Sequence, residues 1–76
     1  MKREQLIKAR KNLGMTQADM ATAAGVHRSY YGLIETGNRN PTLRIATKIA
    51  TALDSSIEQL FPDDIFFANK CYEMKQ

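Results

Sequence analysis

A chain of 76 residues has room for one domain and one modest core, because a domain this small hides only about 60% of the surface its unfolded chain exposes; a deep substrate cavity is not expected. Its 43% hydrophobic and 25% charged residues, with two prolines, are those of an ordinary soluble globular protein and argue against a disordered chain. The net charge of +3 is unevenly spread: residues 1–53 carry nine Lys/Arg against three acids and residues 54–76 two against five, which suits either a polyanion partner on one side or an uneven solvated surface.

In chain order the pattern gives five helical segments and no strand before the tail. From about Glu4 to Leu13, apolar or small residues recur at Leu6, Ala9 and Leu13, and Gly14 supplies a stop. Thr16 is a good N-cap for a second helix, and Asp19 makes an imperfect capping box with it, Asp being shorter than the preferred Glu. Met20, Ala21 and Ala24 form the inward side of that helix. Gly25 follows, where positive φ lets the chain turn sharply without a Cβ clash. A third helix is predicted from near His27 to about Thr36, with Val26, Tyr31 and Ile34 inward and Gly37 ending it. Asn38, Arg39, Asn40 and Pro41 make a loop, and Thr42 caps a fourth helix reaching about Leu53. Its inward residues are Ile45 or Ala46, Ile49 and Leu53, while Arg44 and Lys48 share another face. Ser56 and Gln59 form a capping box for a short fifth helix ending at Leu60 and Phe61, which Pro62 closes. No repeat or long linker interrupts this order, so residues 1–61 read as one domain and residues 62–76 as a C-terminal tail.

The constellation Q-x-x-M-A-x-x-A-G-V, Y-x-x-I-E-x-G, N-P-T-L and I-A-x-A-L, spread from about Leu6 to Phe61, resembles the helix-turn-helix family of phage repressor and Cro proteins, the XRE-type regulators. The resemblance implies an all-α, compact five-helix lambda-repressor-like domain whose second and third helices form the DNA-reading unit. It also implies a transcriptional regulator of double-stranded DNA, commonly a homodimeric repressor on a palindromic operator; the residues themselves call for no cofactor and no small-molecule substrate, and the single cysteine and lack of an export signal favour the cytoplasm.

Within that frame the expected DNA-binding residues are Gln17, His27, Arg28, Ser29, Tyr30, Gly32, Leu33, Asn38, Arg39, Asn40 and Arg44. Gln17 opens the second helix, where free N–H groups and the helix dipole favour an anion, and its family counterpart contacts a phosphate. Arg28 is the first choice for base reading, since a guanidinium can bond bidentately to guanine O6 and N7; a phosphate contact is its alternative. Ser29 suits a base or a phosphate. Leu33 stands where relatives often carry a polar or basic residue, and it fits either a thymine methyl group or the core. Tyr30 is expected part-buried with its hydroxyl free for the DNA backbone or solvent. Gly32 weakens the reading helix by about 1 kcal/mol relative to alanine unless close approach to DNA needs the missing side chain. His27 replaces the Ser or Thr usual at its cap, and as the sole histidine it has no partner for a metal site. Asn38, Arg39 and Asn40 resemble the family's phosphate-gripping loop, and Arg44 fits the DNA backbone, the minor groove or a plain surface charge. The family's arginine on the first helix and glutamate ending the third imply an internal ion pair between Arg10 and Glu35.

Nothing else in the chain points to catalysis. Cys71 and His27 lie far apart, no Cys/His spacing suits zinc, and no glycine-rich phosphate loop occurs. Asp63 and Asp64 read as a cap or a solvated turn. The start M-K-R-E-Q lacks a signal peptide's apolar stretch, the apolar runs are short, and one cysteine makes no internal disulfide, so neither a membrane span nor export is expected. In the tail, Ile65, Phe66 and Phe67 each gain roughly 1.5 to 3 kcal/mol by burial. They must cover this protomer, as a short helix folding back on the core, or meet another, as an extended strand paired across a two-fold axis through Phe66 and Cys71, Tyr72 or Met74 on alternating faces. An antitoxin-like interaction module, its tail gripping another protein and its DNA binding secondary, is the alternative to a self-contained dimeric regulator.

Overall fold

A computed structural model describes residues 2–64; the tail contacts expected of Ile65, Phe66, Phe67, Cys71, Tyr72 and Met74 lie outside them. The described residues form five helices: α1 (Glu4–Asn12), α2 (Gln17–Ala24), α3 (Arg28–Thr36), α4 (Leu43–Ala52) and α5 (Ile57–Leu60). Local chemistry sets their limits. Thr16 accepts the Asp19 N–H while the Asp19 carboxylate accepts the Thr16 N–H, so the short acid completes a reciprocal capping box. Ser56 and Gln59 do the same for α5, and Thr42 caps α4 through the Ile45 N–H. At the other ends, Gly25 (φ 72) and Gly37 (φ 85) take the left-handed conformation that lets their N–H groups turn back onto the last carbonyls of α2 and α3.

The helices enclose one core of Leu6, Met20, Ala21, Ala24, Tyr31, Ile34, Ala46, Ile49, Ala50, Leu53, Leu60 and Phe61, all buried. α2 is the central element and packs on both α3 and α4, while α5 closes the other side against α1 and α4. Close approach of α2 requires small side chains, and Ala21 and Ala24 provide them. The Ala21 carbonyl also accepts the Val26 N–H at 2.9 Å, fixing the turn between α2 and α3.

One expectation of an inward side chain needs correction, and one pair of alternatives is resolved. Leu13 is 55% exposed, because α1 stops at Asn12 and Leu13 serves as its C-cap, off the helical register of Leu6. On α4 the inward residue is Ala46, with Ile45 only partly buried. The Asp63–Asp64 turn is also less solvated than expected: Asp63 is exposed, but Asp64 is paired with Arg3 at 2.7 Å.

Candidate nucleic-acid interface

The site starts from the exposed side of α3. Its inward residues Tyr31 and Ile34 are fully buried, and the 3.6-residue period then turns Arg28, Ser29 and Leu33 outward. Leu33, which suited core or surface, is 38% exposed. Tyr30 is partly buried against the core, as expected. His27 occupies the N-cap in extended conformation but makes no side-chain cap bond, and α3 has no acid in its first turn. The positive end of this helix dipole is therefore left unneutralised by its own sequence, which favours an anion there.

Gln17 lies beside α3 at the start of α2. Its Nε2 donates to Glu35 Oε1 at 2.9 Å. That bond fixes the amide: one N–H is used on Glu35, while the other N–H and Oε1 remain available. Gly32 lies beside this amide but is not required by it, since a Cβ there would stand 3.6 Å from Gln17 Oε1, an ordinary contact.

Beneath the face lies the pair implied by the resemblance. Arg10 Nε donates to Glu35 Oε2 at 2.6 Å and Arg10 Nη2 to Oε1 at 3.2 Å, with Nη1 on the Met15 carbonyl at 2.9 Å. Both side chains are buried. Burial alone would raise the Glu35 pKa, but the hydrogen bonds from Arg10 and Gln17 outweigh it and hold the carboxyl below its usual range. The same hydrogen bonding, donated by Arg10 to the Glu35 carboxylate, pushes the Arg10 pKa up. The pair ties α1 to the end of α3 and, through Gln17, to the start of α2. Tyr31 is enclosed nearby, its hydroxyl without a hydrogen-bond partner among the described residues; burial, and after it the Glu35 carboxylate, push its pKa far up.

Downstream of α3, Asn38, Arg39 and Asn40 are exposed in the loop to Pro41. The Asn38 and Arg39 N–H groups both fold back onto the Leu33 carbonyl, at 2.9 and 3.2 Å, so the loop leaves α3 in a defined direction. Arg44 is exposed near the start of α4. The sequence reading missed Arg3, whose side chain reaches this loop and the end of α3. No local signal marks it, because its partners are 31 to 61 positions away.

This arrangement of a capped α2, a glycine turn and an outward-facing α3 defines a DNA-binding helix-turn-helix domain. The helix-turn-helix family model matches residues 6–60, and the chain belongs to that family. It is 39% identical over 75 residues to the HTH-type transcriptional regulator YqaF of Bacillus subtilis, covering 99% of this chain and 91% of that protein. The transcriptional repressor RstR of the cryptic phage CTXphi, from Vibrio cholerae, is 40% identical over 58 residues, 76% of this chain and 52% of its own length. Among solved structures, the restriction-modification controller protein C.AhdI from Aeromonas hydrophila superposes with a TM-score of 0.71 at 40% identity, covering 76% of this chain and 88% of that one. The protein is a transcriptional regulator built on the helix-turn-helix DNA-binding fold. Among the described residues no helix is long and apolar enough to cross a membrane.

Proposed function

We propose that this regulator binds double-stranded DNA sequence-specifically as a homodimer, laying α3 in the major groove of a palindromic operator and repressing by occupancy. The observation that carries this reading is the outward face of α3: Arg28, Ser29 and Leu33 are exposed beside an uncapped helix N-terminus. In this reading Arg28 reads a base, Ser29 bonds a base or phosphate, and Leu33 meets a thymine methyl group. Gln17, His27 and Tyr30 flank the groove at the phosphates, Gly32 permits close approach, and Asn38, Arg39, Asn40 and Arg44 hold the backbone. The similarity to a phage repressor supports repression, and a nucleic-acid target supports a cytoplasmic location without catalysis. Dimerisation rests on the small contact area of one domain and on the apolar residues of the tail.

Selection from a random DNA pool tests the proposal. Enrichment of a two-fold symmetric sequence with half-sites about 34 Å apart is the expected result. A single unpaired half-site overturns the dimer, and a pool that stays random overturns specific reading altogether.

A further inference from the structure

We propose that Arg3 is a positioning residue for the DNA-facing loop, holding Asn38–Asn40 against the end of α3 and anchoring both to the turn after α5. The inference rests on the reading of that loop as a phosphate contact, and the observations behind it are independent of the face of α3. A guanidinium has five N–H donors in a fixed planar fork, and all five are used here. Nε donates to Asp64 Oδ1 at 3.1 Å and Nη2 to Asp64 Oδ2 at 2.7 Å, a bidentate pair. The second Nη2 hydrogen goes to Asn40 Oδ1 at 2.8 Å. Nη1 donates to the Arg39 carbonyl at 3.1 Å and to the Ile34 carbonyl. The guanidinium also stands over the Phe61 ring, 5.7 Å from its centroid.

The backbone completes the clamp, the Arg3 N–H donating to the Glu35 carbonyl at 2.8 Å. One residue therefore satisfies the Glu35 carbonyl left open where α3 ends and adds a second donor to the Ile34 carbonyl, which the Gly37 N–H already bonds. It also brings a cation to the negative end of a helix that has no basic residue in its own last turn. Asn40 is held through its side-chain oxygen, so its amide N–H2 turns away from Arg3 as a free donor pair. Because Arg3 is matched by Asp64 and spent on internal acceptors, its contribution to DNA binding is geometric: it sets where Arg39 and Asn40 stand.

Lysine separates geometry from charge. Arg3→Lys keeps the net charge but has three donors on a single nitrogen and cannot hold five acceptors in a plane. In the full chain, the expected result is that Arg3→Lys raises the backbone mobility of residues 38–40 in 15N relaxation, leaves the relaxation of α2 and α4 as in the parent, and weakens binding to the selected operator about tenfold. Base preference in the pool stays unchanged. Asp64→Ala is the second variant, and its sign is diagnostic. It adds one unit of positive charge, which by simple attraction tightens DNA binding; the positioning role predicts weaker binding and a mobile loop. If either variant leaves the loop's relaxation unchanged, or Asp64→Ala binds DNA more tightly, the proposal is overturned. If the loop is released but operator affinity holds, Arg3 orders the loop without serving DNA, and the positioning role in binding falls. The relaxation measurement needs no DNA, so a parent chain that selects no sequence overturns the functional reading separately from the clamp.

Discussion

Arg10 and Glu35 form the most demanding contact in the molecule, because two charges held almost out of solvent are tolerable only while each neutralises the other. Replacing Arg10 by Ala strands the Glu35 carboxylate with Gln17 alone, and a loss of about 3 to 5 kcal/mol in denaturant unfolding is expected. The carboxyl's depressed pKa adds a pH dependence with a definite sign. A group lower in the folded state stabilises above its unfolded value and loses that stability as pH falls through its folded value. Urea midpoints measured downward from neutral pH should therefore fall once the pH drops below about 5, and Glu35→Gln should flatten that portion of the profile. At the surface, the proposed roles of Arg28 and Arg39 separate by assay. Arg28→Ala should lose about 1 to 3 kcal/mol of discrimination at one base pair. Arg39→Ala should weaken all sequences alike and reduce the salt slope by about one. Tied by a hydrogen bond to Glu35 inside the fold, Gln17 should differ from both, and its loss should register in stability as well as affinity.

At the scale of the helix, Gly32 poses a trade-off between folding and recognition. Alanine there adds about 1 kcal/mol of helix propensity, and its Cβ meets only Gln17 Oε1 at ordinary contact distance. Gly32→Ala should accordingly raise the melting temperature by about 4 to 8 °C while weakening operator binding if DNA approaches that point closely; unchanged binding would remove Gly32 from the interface. The α2–α3 unit was the most legible part of the chain because its signals are local. Thr16 with Asp19, Gly25 and Gly37 each act on neighbours a few residues away, and all adopt the geometry their chemistry dictates. Leu13 misled for the converse reason: helical spacing places it inward, but the helix ends one residue earlier and the register is lost. Position on α3 could be read from periodicity, whereas the exposure of Leu33 depends on what packs beside it, which periodicity does not encode.

For the whole molecule, the five-helix order and the core followed from pattern, while the Arg3 cluster did not. Its partners come from the end of α3, the following loop and the turn after α5, and only the assembled fold brings them together. The proposed dimer makes a prediction at this scale. A chain ending after Asp64 keeps Phe61 and the Arg3 partners, so its helical circular dichroism should persist. Its operator binding should become half-site-like, lose much of its affinity and shed its preference for symmetric sites, as band shifts on paired and single half-sites would record. The Arg3–Asp64 bond also has a kinetic consequence. It joins positions 61 apart, and so long a loop closes only after the local helices have largely formed. The latch thus belongs to the late side of the folding barrier: its loss should leave the refolding rate nearly unchanged and speed unfolding, giving a chevron whose unfolding limb alone is displaced.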